Sequence, residues 1–486
     1  MSLREASIAT RRFGLGPRTG DLARIAGDAR GYVLAALTKP DAGIIDEPGL
    51  ESSAQNLATF QDAQLAEQLA RVLAKQAEQS NAPPAAPAPT AAPPAMSPPR
   101  PAEVRRDVFQ DDAAARIRRA VTTDQPFLER LVMFWSNHFA ISATKGGNVR
   151  VMAGSFEREA IRPHVLGRFA DMLKAVEQHP AMLFYLDNQQ SIGPGSAANA
   201  NRNRGLNENL AREILELHTL GADGGYTQAD VTSFAKVITG WGVTDARMVV
   251  AMQARGVGKG AGRSDILPGQ FVFFPQRHEP GEQTMLGKRY ADHGLATGEE
   301  VLADLARHPS TARNIARKLA AHFVGQSPPA ALVERLEKTF RDNGGNLAEV
   351  SKTLAGAPEC WQSPPKKVVP PYDFTIALLR GFDIKMQPPE ALRIAGAIGQ
   401  PLWQPPSPKG WPDDDDAWMG PSAVRERLRI AERVVQLLDR KTDPRIAARD
   451  LFGDALSEHT RQAIDRAEAR EQGFELLIMS PEFLRR

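Results

Sequence analysis

The 486-residue chain sets 60 Lys and Arg against 58 Asp and Glu, a formal net charge of +2, so no global field draws it onto nucleic acid or anionic lipid. Hydrophobic residues at 42% and charged residues at 24% are ordinary globular proportions, and a chain this long buries a large core without disulfides. Cys360 stands alone, which excludes an intrachain disulfide, and no run reaches the ~18 apolar residues needed to span a membrane.

Aromatic residues are only 6%, while Ala, Leu, Arg and Glu abound, a mix that favours helix. Ser2 followed by Glu5 is a capping-box pattern and predicts a helix to about Arg12. Gly14-Leu15-Gly16-Pro17 breaks it, Thr19 or Asp21 caps the next, and Pro40 closes another over Tyr32–Leu37. A longer helix is expected over 51–79. Nine prolines among alanines in residues 82–101 predict a disordered spacer, because such a segment cannot repay its ordering entropy. Helical signals resume at Glu103, and Leu128, Leu131, Val132, Trp135 and Phe139 mark one core face.

Residues 188–205 are rich in Asn, Gly and Ser and read as a long loop. A polar helix over 206–221 follows, with Gly221 as its stop, and then Thr227 and Asp230 start another through Thr239. Residues 242–295 change character: glycines cluster at 256–262, and Phe271-Val272-Phe273-Phe274 reads as a strand. Helices are expected again at 297–325, 330–341, 346–355 and near 372–382. An irregular stretch at 401–419 carries Trp403, Trp411, Trp418 and Asp413–Asp416, and three helices are expected in the last ~65 residues. The expected class is all-α, with one irregular, short-β insertion near 242–295. The expected organisation is N-terminal helices in 1–80 that belong to the main domain, a disordered loop over 81–102, a main helical domain over 103–385 and a C-terminal helical region over 386–486.

Familiar catalytic motifs are missing. Gly14-Leu15-Gly16 does not complete a dinucleotide fingerprint, and Gly256-Val257-Gly258-Lys259-Gly260 lacks the phosphate-loop register. There is no G-x-S-x-G, H-E-x-x-H or C-x-x-C, and Asp413–Asp416 lacks the Gly and Glu of a calcium loop. Cys360 beside Trp361 reads as a small buried hydrophobe. Arg11-Arg12 has no apolar stretch after it, so it reads as two ordinary arginines rather than an export signal. That places the chain in the cytoplasm, or in the periplasm if a partner carries it out.

Residues 206–221 hold the densest chemistry. On a straight helix Leu206, Leu210, Ile214 and Leu217 form a core stripe, with Asn207, Ala211 and His218 beside it. Glu208, Arg212, Leu215 and Thr219 form another stripe, and Asn209, Glu213, Glu216 and Leu220 complete the circle. Leu215 and Leu220 among the charges imply partly buried carboxylates, which must then be paired. Two readings stay open: a surface helix with a salt-bridge ladder, or a desolvated network in which Glu208, Arg212, Glu213 and His218 move protons. His138 and His278 are further candidates, and His138, His218 and His278 together could hold a divalent metal assembled across distant segments.

Four segments resemble the domain-of-unknown-function 1800 family. They are Arg12-Phe13-Gly14-Leu15-Gly16-Pro17, the Met133–Phe139 run with Trp135, Ser136, Asn137 and His138, the stretch from Asn207 through Gly221 to Thr239-Gly240-Trp241, and His278 to Gly287. Pro405-Pro406-Ser407 with Gly410-Trp411-Pro412, and Ser480-Pro481-Glu482-Phe483, are similar too. The resemblance implies a helical fold and a signature helix containing Asn207, Glu208, Asn209, Arg212, Glu213, Glu216 and His218. Asn207, Asn209, Glu216, Trp135, Asn137 and Trp241 are thereby candidates for binding. It also implies a partner from the domain-of-unknown-function 1501 family, whose members resemble phosphatases and sulfatases. Glu279 and Gln283 depart from the family pattern, which has Asp and Lys there. Two functions follow as expectations: a partner-dependent accessory protein anchored by Trp403, Trp411 and Trp418, or a hydrolase with a Glu general base and His138, His218 or His278 beside it.

Overall fold

The computed structural model describes residues 3–79, 98–200, 205–245, 248–249, 268–362 and 365–486. Residues 82–97 of the spacer expected over 82–101 and the glycine cluster at 256–262 lie outside the described residues, while Pro101 is helical rather than disordered. Helices run from Leu3–Ile8 to Pro481–Leu484, against four strands of three residues each among the described residues. The chain is therefore mainly α-helical, as its composition predicts.

The helix α1 (Pro101–Thr122) begins at the last proline of the spacer. Proline suits a first helical turn, where its missing N–H would have no partner. Glu103 closes that end by accepting the Arg100 N–H at 2.9 Å. The helix α2 (Pro126–His138) follows, and Leu128, Leu131, Val132, Trp135 and Phe139 are all buried as their spacing predicts. The polar helix is shorter and less regular than a straight helix from 206. It comprises α3 (Asn209–Glu213) and a π turn, Ile214–His218. Next come α4 (Gln228–Val237), capped by a Thr227–Asp230 capping box, and the strand β1 (Trp241–Val243).

The 242–295 region contains the expected strand, β2 (Phe271–Phe273), antiparallel to β1 with Trp241 opposite Phe273. A hairpin of β3 (Gln283–Met285) and β4 (Lys288–Tyr290) follows. Asp230 ties this hairpin to α4: its Oδ2 accepts from the Thr227 N–H at 2.8 Å and its Oδ1 from the Leu286 N–H at 2.6 Å.

The single helix expected over 297–325 is two, Leu295–Arg307 and α5 (Pro309–Val324), because Pro309 cannot continue the helix before it. Then come α6 (Pro371–Gly381) and the irregular stretch expected around 401–419. The last residues hold Pro421–Val435, Pro444–Phe452, Glu458–Asp465, Arg470–Ile478 and the short Pro481–Leu484, rather than three helices. Pro444 and Pro481 each begin one of these helices. One buried apolar cluster extends from Ala6 to Leu484.

Charge is also buried. Arg162 donates to Glu129 at 2.6 and 2.9 Å and to Glu157 at 2.7 and 3.1 Å, and Arg116 donates to Glu157 at 2.8 Å. All four side chains are nearly inaccessible. Two cations and two carboxylates cancel, which is what makes their burial tolerable. Deleting one member of such a set costs about 3–5 kcal/mol, because its partner is left charged and dry.

Candidate functional site

The polar helix divides by depth. Its outer face carries Glu208, which accepts from Thr232 at 2.6 Å, Gln228 at 2.8 Å and Arg212 at 3.1 Å. Those three donors hold the Glu208 carboxyl below its usual range. Glu216 accepts from the Tyr226 hydroxyl at 3.2 Å. Asn207 closes the entry: its Oδ1 accepts the Asn209 N–H at 2.9 Å, while its amide donates to the carbonyls of Leu186 and Asp187 at 3.1 and 3.0 Å. Asn209 itself is exposed. Glu213 is half-buried and has no hydrogen-bond or ion-pair partner among the described residues; burial raises its carboxyl above the usual value.

The inner face differs from the straight-helix expectation. Leu217 is only half-buried, whereas Leu215, His218 and Thr219 are fully buried. The π turn adds a residue to one turn, so the inward stripe steps onto His218. The Thr219 hydroxyl donates to the Ile214 carbonyl at 2.6 Å, and Asn314 of α5 donates to the Thr219 carbonyl at 2.8 Å.

His218 Nδ1 donates to Glu177 Oε1 at 2.7 Å, with both side chains wholly inaccessible. Glu177 Oε2 and His218 Nε2 have no partner. His138 lies alongside, its ring 6.2 Å from that of His218. Its Nε2 donates to the His218 carbonyl at 3.1 Å, and its Nδ1 accepts from Lys318 at 3.2 Å. Lys318 also donates to the Leu217 carbonyl at 2.9 Å. Burial, then Lys318, keeps His138 well below the usual histidine value, and burial lowers Lys318 to about 8.

His278 has other neighbours: the Thr239 carbonyl at 3.1 Å and Asp292 at 3.1 Å occupy its two nitrogens. Glu279, next to it, accepts the Gly195 N–H at 2.6 Å. Among the described residues, no group of three or more His, Cys, Asp or Glu side chains is placed to hold a metal ion. Trp135 and Trp241 are core residues, each 1% exposed. Cys360 is wholly buried, and burial pushes its thiol up to about 12, which leaves it unreactive. Trp403 and Trp418 are buried and Trp411 half-buried, so they do not form the exposed anchor expected for a partner surface.

A second polar centre, which motif reading passes over, lies at the C-terminal half of α2. Here Asn137 grips the 405–418 loop. Its Oδ1 accepts the Trp411 N–H at 2.7 Å and its Nδ2 donates to the Trp411 carbonyl at 3.0 Å. Gly410, at φ +83°, makes the approach possible, since a Cβ there would lie 2.4 Å from the Asn137 carbonyl oxygen. Trp403 adopts φ +51°, a strained conformation for a bulky residue. Its indole N–H lies 3.3 Å from Glu157.

Between α2, the start of α6 and this loop is a cavity of about 90 Å³, lined among others by Arg116, Ser136, His322, Tyr372, Asp413 and Arg486. Asp413 accepts from Lys367 at 2.7 Å and from His322 Nδ1 at 3.2 Å. His322 Nε2 faces Arg486 at 3.3 Å. Asp373 accepts from Arg130 at 2.8 Å. Burial lowers His322 to about 4 and Lys367 to about 8, whereas His322, Lys367 and Arg486 together hold Asp413 far below the usual carboxylate range. Asp413 was legible as part of an acidic run. Its partners lie on segments that local spacing does not link.

One triad-like grouping fails on connectivity. Ser53 Oγ lies 3.0 Å and Glu159 3.1 Å from the same His179 nitrogen, Nε2. Nδ1 accepts the Ala181 N–H at 3.1 Å, so the proton sits on Nε2 and the ring cannot take one from Ser53.

Fold and site together define a mainly helical protein that buries paired charges and arranges them around a cleft. The chain belongs to the family described as protein of unknown function (DUF1800), whose model matches residues 8–485. Comparison with curated proteins and with solved structures gave no match. No helix among the described residues is long and apolar enough to cross a membrane.

Proposed function

We propose that this chain is a ligand-binding accessory protein whose ligand sits in the cleft between α2, α6 and the 405–418 loop. The observation that carries this reading is the Tyr372 hydroxyl: it belongs to a residue 5% exposed, lines the cavity and makes no hydrogen bond of good geometry, with Arg116 against its ring. A buried polar group without a partner costs roughly 1–3 kcal/mol, and a ligand that supplies the partner recovers it. The strained Trp403 and the Asn137 clamp support the reading, because both fix the cleft wall before any ligand arrives. The polar helix then braces α2 from behind, through His138.

The test is a tryptophan-fluorescence and thermal-shift titration with small carboxylates, phosphates, sugars and amino acids. It is run on the native chain and on Met133→Trp, which fills the cavity. Binding by the native chain that disappears in the variant supports the reading. Binding indifferent to the filling, or no binding from any class, overturns it. A domain-of-unknown-function 1501 protein is the partner proposed for the accessory role, to be sought by pull-down from native extract; recovery of the chain alone counts against that partner.

Glu213 favours a second reading, hydrolysis at the polar helix with Glu208, Arg212, Glu213 and His218. A half-buried, unpartnered carboxyl raised by burial suits a general base. Turnover of model esters or phosphoesters that is lost in Glu213→Gln supports it. Equal turnover in both, or none in the native chain, ends it.

A further inference from the structure

Hydrogen-bond supply and demand in the cleft do not balance. The acceptors already face cations. Glu157 accepts from Arg116, Arg162, Ser136 and Trp403. Asp413 accepts from Lys367 and His322 and lies 3.8 Å from Arg486. Asp373 accepts from Arg130 and lies 3.6 Å from Arg486 Nε.

The donors are not spent. Arg486, 3% exposed, has Nε and Nη2 within ion-pair reach of these carboxylates but bonded to neither. The Tyr372 hydroxyl makes no hydrogen bond of good geometry; the Arg116 guanidinium, its neighbouring donor, lies over its ring, 4.6 Å from the centroid. A phenol offers one O–H and a guanidinium five N–H groups, whereas a carboxylate only accepts.

Resting on the cleft reading above, we infer that the ligand is recognised through an oxyanion, a carboxylate or a phosphate, seated against Tyr372 and Arg486 with Arg116 behind. Such a group brings acceptors only, which suits the donors that Arg486 and Tyr372 leave unbonded, and meets guanidinium geometry well. Burial raises the Tyr372 phenol to about 12, so it stays protonated and donates. A neutral polyol brings a donor with every acceptor and does not restore the balance.

Purified full-length chain is titrated calorimetrically with sodium phosphate, sodium succinate and sorbitol at fixed ionic strength, and its thermal midpoint is followed in parallel. Phosphate or succinate binds and sorbitol does not; whichever anion binds identifies the group. Tyr372→Phe weakens that binding about tenfold, the loss of one hydrogen bond to a charged acceptor. The midpoint of the free variant stays level or rises, because the hydroxyl has no well-formed hydrogen bond to lose. Sorbitol binding with neither anion bound overturns the oxyanion and leaves the cleft reading standing. Undiminished anion binding by Tyr372→Phe, or a lower midpoint of the free variant, also overturns it. No binding of any compound here, or of the wider panel, removes the cleft reading itself.

Discussion

His322 uses both ring nitrogens: Nδ1–H donates to Asp413 Oδ2, which Lys367 shares, and Nε2 faces Arg486. Burial, helped by Arg486 and Lys367 and opposed by Asp413, favours the neutral ring down to about pH 4. The unfolded chain takes up the same proton near pH 6.5. Between those values the unfolded state binds more protons than the folded state, so stability falls as pH falls. His322's contribution is fully present above about 6.5 and is lost by about 4. Urea unfolding of the native chain and His322→Asn isolates this from other groups, including Asp112, which burial raises to about 6 with the opposite effect. The native chain's advantage should shrink by up to about 1.4 kcal/mol per pH unit across that window. A pH-independent difference would mean that the ring titrates as it does in water.

Elements fix the cleft through a single close approach, Gly410 against Asn137. In Gly410→Ala the new methyl meets backbone, which cannot swing aside as a side-chain end can, and φ +83° adds strain. The loop must lift and give up both Asn137–Trp411 hydrogen bonds, about 1–3 kcal/mol in sum. The expected readouts are a red shift of tryptophan emission and new protease cleavage within residues 405–418. Native emission and native resistance would show that the clamp does not set the loop. Such elements were only partly legible in the sequence. The α2 core face was, because helical period and apolar spacing coincide there. The π turn was not, because nothing in Ile-Leu-Glu-Leu-His marks an extra residue in the turn, and so the inward step of His218 was missed. Glu129 and Arg130 were not singled out, because their partners Arg162 and Asp373 lie on segments that only the fold brings close.

At the scale of the whole molecule, the cleft draws on residues from 116 to 486, so it exists only while distant segments stay docked. The final segment is tied in by backbone as well as side chains: the Val369 N–H donates to the Leu484 carbonyl at 2.9 Å, the Arg486 N–H to the Lys367 carbonyl at 2.7 Å, and Arg11 to the Glu482 carbonyl at 2.8 Å. One buried apolar cluster includes residues of both 103–385 and 386–486. The boundary expected at 386 precedes the irregular, Pro-containing turns of 401–419. Here those turns fold back to line the cleft. Denaturation followed by far-ultraviolet circular dichroism should therefore coincide with that followed by tryptophan emission, half of whose six sources, Trp403, Trp411 and Trp418, lie in the C-terminal region. Midpoints that separate, with the tryptophan signal moving first, would show that the C-terminal region unfolds alone and that cleft and main body are thermodynamically distinct.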